Sequence, residues 1–182
     1  MAFTRMDQLR AGSEDVAVIA QALSVRQAAM PQVIKTLLRQ LEQHVDGFPV
    51  NQLVHALQTA TRAENGAASE EMIVASLLHD IGKAISDANH GAISAEILKP
   101  YVSAETYEIV RTHQDFQGRY IYSFIGKDAE ARRQYADQTW YELACKFSDA
   151  WDQTSFDPGY RNLPLDHFEP MIDRVFARPR EF

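Results

Sequence analysis

The chain has 182 residues, 46% of them hydrophobic and 24% charged, the mixture of an ordinary globular protein. Its 18 basic and 25 acidic side chains leave a net charge of −7, which excludes a polybasic membrane anchor and a nucleic-acid coat. The single cysteine, Cys145, excludes an internal disulfide framework and points to a reducing, cytoplasmic setting. No apolar run reaches the roughly 18 residues of a membrane helix. The opening stretch also lacks the apolar core of a secretory leader, so no membrane partner is expected.

Hydrophobic side chains recur at helical spacing along nearly the whole chain. After Pro31, residues Ile34, Leu37, Leu38 and Leu41 fall on one face. Val50, Leu53, Val54 and Leu57 repeat the pattern behind Pro49. Ser69 caps a helix with Glu70 and Glu71 in its first turn and Ile73, Leu77, Leu78 and Ile81 on its apolar side. Gly82 is placed to end it. A shorter helix holds Ile93, Ile97 and Leu98 and stops before Pro100. Ser103 opens the next, which runs through Tyr107 and Val110 to about His113. The segment 116–128, aromatic and broken by Gly118 and Gly126, reads as an ordered loop, with Tyr120, Tyr122 and Phe124 in the core or at its rim. Trp140, Leu143, Ala144, Phe147 and Trp151 mark a long late helix, and a last short helix spans about 168–176. No alternating run demands a strand. The pattern predicts an all-α helical bundle of one domain, with N-terminal helices over 1–48, a core over 49–152, and a C-terminal loop and short helix over 153–182.

The six histidines are His44, His55, His79, His90, His113 and His167. His79 and Asp80 stand at the C-terminal end of an apolar helix, in the run Leu77-Leu78-His79-Asp80-Ile81-Gly82-Lys83. Adjacent helical side chains diverge by about 100°. At a helix end the backbone can turn, and the partial negative charge there favours a cation. Imidazole nitrogen with carboxylate oxygen suits iron, manganese or zinc. By itself the pair reads first as a capping Asp beside a histidine hydrogen-bonded to backbone.

Partners on other predicted helices shift that balance toward a metal. His55 interrupts an otherwise apolar helix, and His90 and His113 stand on later ones. Asp149 and Asp152, three apart, place carboxylates on one face of the late helix. His44 and His167 fall outside the pattern and read as surface or capping residues, while Cys145 reads as a buried free thiol. Gln58, one turn after His55, and Arg119, just beyond His113, are candidate substrate contacts. Arg119 would act as a bidentate clamp on a carboxylate or phosphonate.

The order His55, His79-Asp80 and a late Asp resembles the signature of the HD-domain superfamily of metal-dependent enzymes. The additional His90 and His113 match its six-ligand branch, which holds two metals. The resemblance implies that Asp80 bridges, that His55, His79 and the late Asp complete one metal, and that His90 and His113 bind the other. The stretch from Phe147 to Thr154, followed by Leu163-Pro164-Leu165 and Phe168-Glu169-Pro170, is similar to the end of the myo-inositol oxygenase group. That likeness selects Asp152 as the ligand and keeps Asp149 as the alternative. It also implies two iron ions, Fe(II) and Fe(III), acting with dioxygen to cleave a C–C or C–P bond of a small hydroxylated or phosphonate-like molecule. Lys83, in the His-Asp-x-Gly-Lys run, is implied as a catalytic contact to that substrate.

The alternative within the same superfamily is a phosphohydrolase of a phosphate ester or nucleotide, using manganese, magnesium or zinc. No Gly-Tyr-Pro run follows the third histidine, as the cyclic-dinucleotide phosphodiesterases of the superfamily would show. A second alternative is a sensor module that retains metal without turnover.

Overall fold

Eight α-helices, short 3-10 turns and one π-helical turn make up the regular structure of residues 3–180 in the computed structural model, and no strand occurs among the described residues. Residues 1, 2, 181 and 182, the outer ends of the expected terminal segments, lie outside the described residues. Helix α1 (Glu14–Ala28) is capped by the Ser13 hydroxyl, which accepts from the Val16 N–H, and it buries no residue. Lacking an apolar face, it left no mark in the hydrophobic pattern. Helix α2 (Met30–Gln40) begins with Pro31 in its first turn and turns Ile34 and Leu38 into the core.

Helix α3 (Gln52–Asn65) starts where the Asn51 side chain accepts the Val54 N–H at 2.9 Å. Its fully buried Ala56, Ala60 and Ala63 are small enough for the next helix to lie close. That helix, α4 (Glu70–Leu78), is capped by Ser69, and every residue from Met72 to Leu78 is buried. A helix that is apolar all round belongs at the centre of its bundle. Helix α5 (His90–Leu98) packs against α6 (Ala104–Ile121). Ser103 caps α6, and the Glu71 carboxylate of α4 accepts both the Ser103 N–H at 2.8 Å and its hydroxyl at 2.6 Å.

The segment after His113 is not a loop. Helix α6 continues to Ile121, and a 3-10 turn, Tyr122–Ile125, follows and ends at Gly126 with φ +71°. The apolar face of α6 carries on through Phe116, which is fully buried against the rings of Tyr135, Trp140 and Tyr141. Gly118 does not break the helix, because the Tyr122 ring occupies the space where a side chain would stand. Tyr120, Ile121 and Phe124 are exposed at the rim.

The late helix is not uniform either. Helix α7 (Tyr141–Lys146) widens into a π-helical turn, Phe147–Asp152, in which the Gln153 N–H reaches Ser148 O at 3.1 Å. Cys145 is half-buried rather than buried. Helix α8 (Leu165–Val175) begins earlier than its hydrophobic pattern suggested and packs Phe168 and Ile172 onto α4 and α2. His167 stands on α8 and pairs with Glu64 at 2.9 Å, away from the other histidines. One apolar cluster runs from Ile34 to Phe176 through all of these helices except α1. Among the described residues no helix is long and apolar enough to cross a membrane.

Candidate metal centre

Five elements deliver six side chains to one buried point. His55 comes from the first turn of α3, His79 from the end of α4, His90 from the start of α5, His113 from α6, and Asp152 from the last residue of the π-helical turn. Asp80 follows His79 with φ −107° and ψ 7°, outside helical geometry. The chain turns there, and the two neighbouring side chains converge instead of diverging. All six residues are buried.

Each imidazole is anchored by a backbone carbonyl. Nδ1 of His55 lies 3.0 Å from Ser155 O, that of His79 2.8 Å from Ser76 O, that of His90 2.8 Å from Asp87 O, and that of His113 2.7 Å from Val110 O. A carbonyl only accepts, so each Nδ1 carries the proton and each Nε2 presents a lone pair inward.

The four Nε2 atoms divide into two pairs around Asp80. His55 and His79 each place Nε2 3.6 Å from Asp80 Oδ2, and they stand 3.3 and 3.5 Å from Asp152 Oδ1. His90 and His113 place theirs 3.1 and 3.3 Å from Asp80 Oδ1. The His55 and His79 Nε2 atoms are 3.1 Å apart, two lone pairs facing each other. Asp80 Oδ1 and Asp152 Oδ2 are buried without a hydrogen-bond donor. Lys83 and Gln117 reach only Asp80 Oδ2 and Asp152 Oδ1, so the remaining converging acceptors are costly unless a cation completes the set. The donor atoms therefore fit divalent or trivalent metal ions of the nitrogen- and oxygen-preferring kind.

Burial pushes the Asp80 pKa up, but the surrounding His79, His113 and His90 imidazoles and Lys83 outweigh it and hold the carboxyl well below its ordinary value. Asp152 is likewise raised by burial and lowered further by His79 and His55, so that it too is held well below the usual range.

A cavity of about 220 Å³ opens beside the cluster. Asp80, Lys83, Gln117 and Gln153 give it polar groups, and Phe48, Phe156, Tyr120 and Ile121 line the rest. Lys83 Nζ stands 2.7 Å from Asp80 Oδ2 and donates to Gln52 Oε1 at 3.1 Å. Phe156 lies face to face between the His55 imidazole, at 4.2 Å, and the Phe48 ring, at 4.5 Å, so an aromatic stack runs from the cluster to the cavity wall.

Three sequence candidates stand elsewhere. Gln58 spends both ends of its amide on Asp157, donating to its carbonyl at 2.7 Å and accepting its N–H at 3.2 Å, which pins the loop after Phe156. Arg119 is exposed and outside the cavity lining, because the continuing α6 turns Gln117 and the rim residue Tyr120 toward the cavity and carries Arg119 away. Asp149 is not part of the cluster. The wide π-helical turn separates it from Asp152, and it takes a two-pronged bond from Arg132 at 2.9 and 3.0 Å and the Tyr120 hydroxyl at 2.9 Å. Sequence reasoning missed Gln52, Phe156 and Gln153 altogether. Gln52, three residues before His55, and Gln153, next to Asp152, were adjacent to candidate ligands, whereas Phe156 owes its place to ring contacts with the distant His55 and Phe48.

Gly82 shows how closely the two halves are joined. A β-carbon there would be driven into the His90 carbonyl oxygen, which is backbone and cannot step aside cheaply. Gly82→Ala is expected to cost about 1–3 kcal/mol in overpacking and to displace His90. Urea unfolding together with metal titration checks this, and an alanine variant that keeps both its stability and its metal content would contradict it.

A buried histidine–carboxylate centre on a helical bundle is the architecture of a metal-dependent class, and comparison with known proteins agrees. The model of the HD domain matches residues 53–155, more than half of the chain. The chain belongs to the HD domain family. It is similar to [1-hydroxy-2-(trimethylamino)ethyl]phosphonate dioxygenase (glycine-betaine-forming) of Leisingera caerulea, with 37% identity over 37% of this chain and 40% of that protein. It is also similar to hydroxymethylphosphonate dioxygenase of Gimesia maris, with 30% identity over 60% of this chain and 61% of that one. The chain thus spans less than two thirds of the length of either relative.

Proposed function

We propose that this protein is a mixed-valent di-iron oxygenase that cleaves a C–P or C–C bond of a small hydroxylated, phosphonate-like molecule. The observation that carries the reading is Asp80, whose two oxygens face two different histidine pairs. In this reading His55, His79 and Asp152 with Asp80 would hold one iron, and His90 and His113 with Asp80 would hold the other. When bound, the irons supply one-electron chemistry toward dioxygen. The chain's own side chains do the rest. The four Nδ1–H bonds fix the imidazole orientations before metal arrives. Lys83, at the cavity floor, orients an anionic or hydroxyl oxygen of the substrate by its ammonium group. Phe48, Phe156, Tyr120 and Ile121 keep water from the reacting carbon. The two dioxygenase relatives, both named for hydroxylated phosphonates, favour this reading over a phosphohydrolase built on the same donors.

Incubation of the iron-loaded protein with hydroxymethylphosphonate and with [1-hydroxy-2-(trimethylamino)ethyl]phosphonate tests it, with inorganic phosphate followed by 31P NMR. Phosphate release in air and none under argon is expected from at least one of the two. Cleavage of phosphate esters under argon, with both phosphonates left intact, would make the protein a hydrolase.

A further inference from the structure

Gln117 stands one helical turn after His113 on α6 and is assigned no role by the metal reading. Its Nε2 donates to Asp152 Oδ1 at 3.1 Å, and that oxygen is the one facing the His55 and His79 Nε2 atoms. The acceptor is an ionised carboxylate, so the amide is fixed with its NH2 toward Asp152. The other oxygen, Asp152 Oδ2, is buried with no hydrogen-bond donor. Among the described residues Gln117 is therefore the side-chain amide that sets the rotation of this carboxylate. The same helix presents His113 to Asp80 Oδ1 at 3.3 Å. One rigid turn of α6 thus sends one side chain to each half of the cluster.

Resting on the two-metal reading, we propose that Gln117 is a positioning residue for the His55–His79–Asp152 half. It locks the Asp152 carboxylate in the orientation that offers Oδ1 to the metal, and it tempers the charge of that oxygen with an N–H. It lines the cavity as well, so it links that half of the centre to the space beside it. Gln153 provides an internal control. It lines the same cavity and is also a glutamine, yet its Nε2 donates to the Asp149 carbonyl at 2.9 Å and does not touch Asp152.

The test uses Mn(II) as the probe, with bound metal counted by electron paramagnetic resonance of the free ion and folding followed by circular dichroism. Wild-type protein is expected to take two Mn(II), and a His90→Ala background one, at the His55–His79–Asp152 half. Adding Gln117→Met to that background keeps the volume and removes the donor. It should weaken the remaining site by about 10–100-fold, the usual cost of losing an outer partner of a ligand. Gln153→Met in the same background should leave the affinity unchanged. Gln117→Leu serves as a second variant in case methionine disturbs the helix, with the same outcome expected. Wild-type affinity in a folded Gln117→Met protein, or equal losses from Gln117→Met and Gln153→Met, would overturn the positioning role alone. Failure of the wild-type protein to bind a pair of metals would overturn the two-metal reading and this role with it.

Discussion

Replacing Asp80 by asparagine should abolish both metal positions at once, whereas a change at His113 should reach only one. The carboxylate sends Oδ2 toward His55 and His79 and Oδ1 toward His90 and His113. Asparagine keeps the shape but has one oxygen and no charge, so neither half keeps its shared anion. The expected loss of affinity at both positions exceeds the roughly 10–100-fold that removal of an outer partner costs. The metal-free fold should lose some stability, because Lys83 is left without its charged partner at 2.7 Å, and circular dichroism separates that loss from the loss of metal. Metal content by mass spectrometry, with Mn(II) titration beside it, checks the result. An Asp80→Asn protein that still held one metal at wild-type affinity would show that the carboxylate is not shared.

The largest stability effect is expected at Phe147. Its ring is fully buried in the first position of the π-helical turn, edge-on to the His79 imidazole at 5.4 Å and to Trp151 at 6.3 Å. Truncation to alanine opens a cavity directly behind a candidate ligand and should cost about 3–5 kcal/mol. For a chain of this size that lowers the thermal midpoint by roughly 6–20 °C. Leu143, 36% exposed on the neighbouring α7, is the control and should cost about 1 kcal/mol or less as alanine. Urea and thermal unfolding of the metal-free proteins give both numbers. Equal, small losses for the two variants would place Phe147 outside the core.

The sequence carried the helices that bury a face and lost those that do not. Ser69 and Ser103 announced α4 and α6, since a hydroxyl cap followed by apolar spacing is a local signal. Helix α1 gave none, because it packs nothing inward. The end of α6 is hidden in the sequence, where Gly118 has the look of a breaker, whereas in the fold its missing side chain leaves room for the Tyr122 ring. The six candidate ligands were legible as a pattern of residue types on separate helices. The choice between Asp149 and Asp152 rested on likeness to a known group, because a regular helix would present both on one face. The structure separates them through the π-helical turn, a backbone feature that no spacing rule encodes. Substrate-side residues were the least legible. Arg119 and Gln58 were reasonable by proximity in sequence, yet the cavity is lined by Gln153 and Phe156, just after Asp152, together with Phe48 from a distant segment.

Anaerobic loading with Fe(II), partial oxidation and electron paramagnetic resonance at low temperature test the central claim most directly. Two antiferromagnetically coupled irons sharing Asp80 should give one mixed-valent signal that integrates to about one spin per two irons and shifts when a hydroxylated phosphonate is added. The Asp80→Asn protein should lack it. A signal from isolated Fe(III) alone, or a single iron per chain at saturation, would contradict a shared two-iron centre.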